Sequence, residues 1–168
     1  MASTAGHDIN YISMVGALHA IGKKDQNPSV PLNLVGDYGG GGMHLAVGML
    51  AGLFHAIKTG EGQIVDSAMI DGSASLMGLF YYLHNTGFWK DERESNLLDG
   101  FAHFYDTYET LDKKYIAIGS IEPKFYKILI DNLGLNFEDF KNQMDKSLWP
   151  ELKKRIAKAV SSKTRSEW

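Results

Sequence analysis

Asn33–Gly72, NLVGDYGGGGMHLAVGMLAGLFHAIKTGEGQIVDSAMIDG, decides how this chain is read. Asp37 stands at the head of the glycine run Gly39–Gly42, which leads into an apolar segment from Met43 to Ile57. Only His44 and His55 interrupt that segment, and a helix that is apolar all round is expected to be buried. Gly48 and Gly52, one turn apart, would let a second element pack closely against it. The glycines offer bare backbone ahead of a helix start, where free N–H groups and the helix dipole favour negative charge. A carboxylate and an anion-friendly backbone are thus expected together. The simpler reading is a glycine-rich turn with Asp37 as its cap.

The composition is that of a globular protein: 168 residues, 44% hydrophobic and 22% charged, with a net charge of −3. Without a basic excess, nucleic acid is not expected as a partner. Cysteine is absent, which removes disulfides and thiolate chemistry. No basic stretch followed by an apolar core marks a signal peptide, and Met43–Ile57 reads as too short for a membrane span, so no membrane partner is expected either.

Ile9, Ile12, Val15, Leu18 and Ile21 recur at helical spacing and predict one helix ending at Gly22. His7 and Asp8 then fall at its start. Asp8 suits a cap, while the dipole keeps His7 neutral, the form a general base needs. After the central helix, Thr59–Gly62 predicts a turn, Gln63–Met69 a short strand, and Asp71-Gly72 the cap of a helix to about Leu83. That alternation is the rhythm of an α/β layer. Asp66 and Asp71 read as turn and cap residues, and the methionines Met43, Met49, Met69 and Met77 as core fillers.

Before Lys90 the only basic residues are Lys23, Lys24 and Lys58; beyond it both signs are dense. Residues 1–86 are therefore read as part of a large domain, 87–100 as a linker, and 101–168 as a small domain. In the small domain, Phe104–Glu109 and Tyr115–Gly119 predict a hairpin. Pro123 opens a helix closed by Gly134, and a last helix runs from about Ser147 to Val160, with Lys153, Lys154, Arg155 and Lys158 as its solvated face. Thr164–Glu167 fits a capping box, and both chain ends read as cut from something longer.

AGHDINYIS at Ala5–Ser13, the Asn33–Leu53 stretch with GEGQIVDSAMIDG after it, and FYDTYETLDKKYIAIGSIEPKFY at Phe104–Tyr126 stand in one order and spacing. With NLLDG at Asn96–Gly100 and the closing SSKTRSEW, they resemble the α-methylacyl-CoA racemases of the family III CoA-transferase superfamily. The resemblance implies a large α/β domain with a Rossmann-like parallel sheet, a small α+β domain and an interlocked homodimer. It implies interconversion of (2R)- and (2S)-2-methylacyl-CoA thioesters without metal or redox cofactor, acyl-CoA being the substrate. It places the acid/base pair on His7 and Asp37 and an accompanying carboxylate on Glu122. It also places acyl-CoA contacts on Gly6, His7, Asp8, Ile9, Asn10 and Tyr11. The implied compartment is the cytoplasm of a bacterium, or the mitochondrion or peroxisome of a eukaryote.

The chemistry suits those residues. A proton α to a thioester needs a positioned base, and inversion needs an acid on the opposite face of the planar enolate. His19, His44, His55 and His84 are read as structural, while Phe101 and His103 stand where smaller or stiffer residues are expected of the racemases, a departure that bears on the shape of the acyl pocket. Two other readings stay open: a CoA-transferase in which Asp37 is the nucleophile, and an inactive piece of a longer enzyme. A metal hydrolase built on His7, Asp8, Asp37 and His44 is weaker, since no helical histidine pair has ligand spacing.

Overall fold

The computed structural model describes residues 4–168. The chain forms two compact units, one ending at Arg93 and the other running from Glu94 to Trp168. In order, the first holds α1 (Asp8–Met14), α2 (Ala17–Ala20), a π-helix (Leu34–Met43), α3 (His44–Thr59), α4 (Met69–Leu76) and α5 (Gly78–Asn85). The second holds β1 (Tyr105–Glu109), β2 (Tyr115–Gly119), α6 (Pro123–Asn132), a short 3-10 turn and α7 (Trp149–Val160).

The first unit departs from its sequence pattern in four places. The helix predicted over Ile9–Ile21 breaks at Gly16, whose left-handed φ of 74° stops α1 and restarts the chain as α2. Gln63–Met69 forms no strand: the segment has no ladder partner up to Ala68, Met69 opens α4, and the hairpin of the second unit is the only sheet among the described residues. Its apolar alternation is used instead against α3, where Val65 covers Gly48 and Gly52 so closely that a Cβ at Gly48 would lie 2.8 Å from it. The helix expected to follow starts at Met69, breaks at Met77 and resumes as α5.

The fourth departure is α3 itself. The π-helix and α3 are continuous from Leu34 to Thr59, a helix of 26 residues that is long and apolar enough, by composition, to cross a membrane. It is therefore not the short segment that Met43–Ile57 suggests. Nor is it buried: Met43, Val47, Met49, Leu50, Phe54 and Ile57 are all exposed among the described residues. Periodicity reports what a helix can bury, whereas burial depends on what else is present to cover it. Met43 and Met49 are accordingly not core fillers.

The apolar core lies in the second unit. Phe104, Tyr108, Ile118, Tyr126, Ile130, Phe140, Trp149, Leu152, Ile156 and Val160 are buried together. The hairpin follows the sequence pattern, with Tyr105 opposite Gly119 and Tyr108 opposite Ile116. Its turn is closed by the Thr110 N–H donating to the Lys114 carbonyl at 2.8 Å. Pro123 takes the first turn of α6, where a missing N–H costs nothing. Trp149, Leu152, Ile156 and Val160 form one stripe of α7. Lys153 is not on the solvated face: it is half-buried and pairs with Asp106 at 2.6 Å, fastening α7 to β1.

His103 and Phe101 also belong to this core. Phe101 stacks edge-on against Trp149. The Tyr126 hydroxyl donates to the Phe140 carbonyl at 3.0 Å, so the fully buried His103 ring meets that hydroxyl through Nε2–H at 2.6 Å. Burial lowers the His103 pKa from 6.5 to about 4. The two residues therefore pack the small unit.

Two outcomes follow. An unfolded chain takes up the His103 proton near pH 6.5 and the folded one only near pH 4, so this residue's contribution is complete above 6.5 and declines as pH falls toward 4. Melting curves of wild type and His103→Phe should converge across that window; a difference independent of pH would show that the ring is not buried neutral. For α3, Leu50→Lys with Phe54→Lys should lower the binding of a hydrophobic dye and leave the melting temperature unchanged, because neither side chain loses packing. A large drop in melting temperature would show that the face is covered.

Candidate active site

His7 is the N-cap of α1, in extended backbone, and its N–H donates to the Asn10 Oδ1 at 2.9 Å. The imidazole is exposed. Asp8, the next residue, does not behave as a cap. Its carboxylate is only 7% exposed, and its Oδ2 accepts the N–H of Asp37 at 2.7 Å. Asp37 is itself exposed, and its Oδ2 takes a hydrogen bond from Asn33 Nδ2 at 3.3 Å. The start of α1 and the π-helix are thus joined at Asp37 and at the residue that follows His7.

The glycines make that junction possible. A Cβ at Gly36 would collide with the Asp8 carboxylate and lie 3.1 Å from Ile12. One at Gly40 would strike Ser73, and one at Gly72 would strike the Gly40 carbonyl. The run is therefore a surface on which α4 seats backbone against backbone. It is not the anion cradle expected ahead of a helix, because the helix begins upstream at Leu34 and the glycines lie inside it. A π-helical stretch is uncommon and is frequently found at functional sites.

The Gly6–Tyr11 stretch opens on a cavity of about 370 Å³ lined by Thr4, Ala5, Gly6, Asn10, Tyr11, Ser13 and Met14. Gly6 lies under the Tyr11 ring, where a Cβ would come within 2.8 Å of the phenol oxygen. Ser13 and Met14 were not apparent in the sequence as lining residues; their i+3 and i+4 relation to Asn10 is the signal that could have found them. A second cavity, about 360 Å³, brings His19 and His84 together with Tyr81, Trp89 and Asp91. In it His19 Nε2 lies 3.1 Å from the Asp91 carboxylate.

Glu122 is the N-cap of α6 in the second unit, with an exposed side chain and its carbonyl accepting the Tyr126 N–H at 2.9 Å. His7, Asp8 and Asp37 are in the first unit; Glu122 is in the other. No three His, Asp or Glu side chains gather at metal-ligand distance among the described residues.

Residues 1–168 match CoA-transferase family III. The alpha-methylacyl-CoA racemase of Mus musculus is 44% identical over 167 residues, covering 99% of this chain and 44% of the mouse protein. A CaiB/BaiF CoA-transferase family protein of Caenorhabditis elegans is 32% identical over 171 residues, covering the whole chain and 48% of that protein. The crystal structure of the Mycobacterium tuberculosis protein Rv3272 superposes with a TM-score of 0.75 at 27% identity, over 99% of this chain and 45% of that one. The chain thus spans less than half the length of the relatives it matches.

The close seat of α4 gives a test by contrast. Gly72→Ala should destabilise the first unit by about 1–3 kcal/mol, the range for overpacking. Gly78→Ala, with open space around it, should stabilise by about 0.4–1 kcal/mol. Equal effects in thermal melts would remove the backbone contact.

Proposed function

The chain belongs to CoA-transferase family III, and from that premise we propose that it carries the proton-transfer residues of a 2-methylacyl-CoA racemase. The observation that carries the reading is the Asp8–Asp37 hydrogen bond, which ties the segment bearing His7 to the segment bearing Asp37. The 44% identity to a protein named alpha-methylacyl-CoA racemase supports the substrate class.

In this mechanism His7, neutral, removes the α-proton of one enantiomer and leaves a planar enolate thiolester. Asp37, protonated, delivers a proton to the opposite face. The reverse direction starts from the Asp37 carboxylate and ends with the His7 imidazolium as donor. One C–H bond breaks and one forms, with no net redox change and no need of a metal or redox cofactor. Glu122 stands by the His7 imidazole from a partner chain in a homodimer and stabilises its charged form. Gly6, Ile9, Asn10 and Tyr11 meet the acyl-CoA.

A CoA-transferase in which the Asp37 carboxylate attacks the thioester is the second reading, favoured by the family itself and by the Caenorhabditis elegans relative. Deuterium uptake at Cα, followed separately for the (2R) and (2S) thioesters, separates the two. Under racemisation, His7→Ala abolishes exchange from one enantiomer, while exchange begun by Asp37 survives from the other without inversion; Asp37→Ala gives the mirror result. Each loss should reach about 10²–10⁴-fold. Equal, modest slowing of both enantiomers would exclude His7 as a base, and CoA transfer to an acceptor acid without α-exchange would establish the transferase.

A further inference from the structure

We propose that Asp8 is a positioning residue, whose buried carboxylate holds the main chain of Asp37 so that the Asp37 side chain is presented to the substrate in one geometry. The proposal rests on the racemase reading for its chemistry and on the fold for its geometry.

Asp8 is the first residue of α1, one past the His7 N-cap, where an aspartate ordinarily does no more than complement the helix dipole from the surface. Here the carboxylate reaches instead to a distant amide, with Oδ2 accepting the Asp37 N–H at 2.7 Å. The other oxygen, Oδ1, is buried and has no partner among the described residues. A carboxylate so placed costs stability, since one half of it is desolvated without compensation. One N–H needs only a neutral acceptor, so fold stability does not account for the group. Space has nevertheless been kept for it: Gly36, directly before Asp37, has no room for a Cβ because the Asp8 carboxylate occupies that volume.

Two bonds then fix Asp37 from both sides. Asp8 holds its amide, and Asn33 Nδ2 holds its carboxyl at 3.3 Å. His7 precedes Asp8, so the carboxylate that fixes the Asp37 backbone also fixes the turn of chain from which His7 projects. Both members of the proposed acid/base pair are set by one side chain that itself exchanges no proton with substrate. A misplacement of about 1 Å at such a site costs on the order of 10²-fold in rate.

The test uses Asp8→Ala, Asp8→Asn and Gly36→Ala, with two readouts: hydrogen exchange of the Asp37 amide, and kcat and KM for α-proton exchange from each enantiomer. Asp8→Ala should speed exchange of the Asp37 amide at least about tenfold and lower kcat roughly 10²-fold for both enantiomers, with KM little changed. Asp8→Asn, which keeps an acceptor oxygen, should restore both readouts to within about tenfold of wild type. Gly36→Ala, which displaces the carboxylate without removing it, should reproduce Asp8→Ala, and the double variant should be no worse than either single one.

Unchanged Asp37 amide exchange in Asp8→Ala overturns the proposal, as does faster amide exchange with kcat unaltered. An effect confined to KM also overturns it, because Asp8 would then serve substrate binding. Should Asp8→Ala fail to fold, Asp8→Asn and Gly36→Ala decide between them: protection and kcat kept in the first and lost in the second uphold it, and the reverse pattern overturns it. With these residues assayed in a chain of the relatives' full length, a wild type without α-proton exchange refutes the racemase reading instead. The amide readout then decides alone: protection lost in Asp8→Ala and kept in Asp8→Asn upholds the hold on Asp37, and equal protection in both overturns it.

Discussion

A carboxylate buried against a single amide proton organises the first unit. The Asp8–Asp37 bond joins α1 to the π-helix, and further close approaches lie on either side of it. Gly36 must be glycine because the carboxylate lies over it, and Gly40 and Gly72 because α4 seats on the same stretch of backbone. Ile12, fully buried, packs beside Gly36 and is one of few apolar side chains buried in this unit. The unit is held by backbone in contact with backbone and by the Asp8–Asp37 bond. The second unit is built on the opposite principle. Its aromatic core is continuous, and its hairpin and helices each contribute a face.

That contrast explains what the sequence disclosed. In the second unit local pattern and tertiary burial agree, so the hairpin at Tyr105–Gly119, the proline-opened α6 and the stripe of α7 could be read directly. In the first unit they disagree. Val15 and Ile21 carry helical spacing through Gly16, but a left-handed turn there costs glycine nothing and ends α1. Ile64 and Val65 have the preferences of a strand, yet a strand exists only through a hydrogen-bonded partner, and none lies among the described residues. Such partners are long-range facts that no window of sequence contains.

The candidate site was legible in part, and for a different reason. His7, Asp37 and Glu122 came from the resemblance to a family, since a histidine before a helix or an aspartate before glycines is commonplace. The residues that arrange them were hidden. Asp8 looks like an ordinary cap, because nothing local to Asp8 says that its carboxylate crosses to Asp37. The glycine run looks like an anion cradle, because a π-helix has no sequence signature that separates it from a loop leading into an α-helix. Groups that touch substrate stay exposed and type-restricted, whereas groups that aim them are defined only by contacts.

The continuous helix from Leu34 to Thr59 shows how far a constraint of this kind extends. Full burial of a Leu, Phe or Ile side chain is worth about 1.5–3 kcal/mol, and α3 leaves Leu50, Phe54 and Ile57 exposed. Its apolar face therefore contributes little to holding it in place among the described residues. What anchors α3 is its small-residue side, where Val65 lies against Gly48 and Gly52, and its unbroken junction with the π-helix. The junction carries the position of Asp37 into α3, since a helix transmits a displacement at one end along its whole length. The seat of α4 on Gly40 and the hydrogen bond from Asp8 thus fix more than the site: they set the line along which the exposed apolar face is presented.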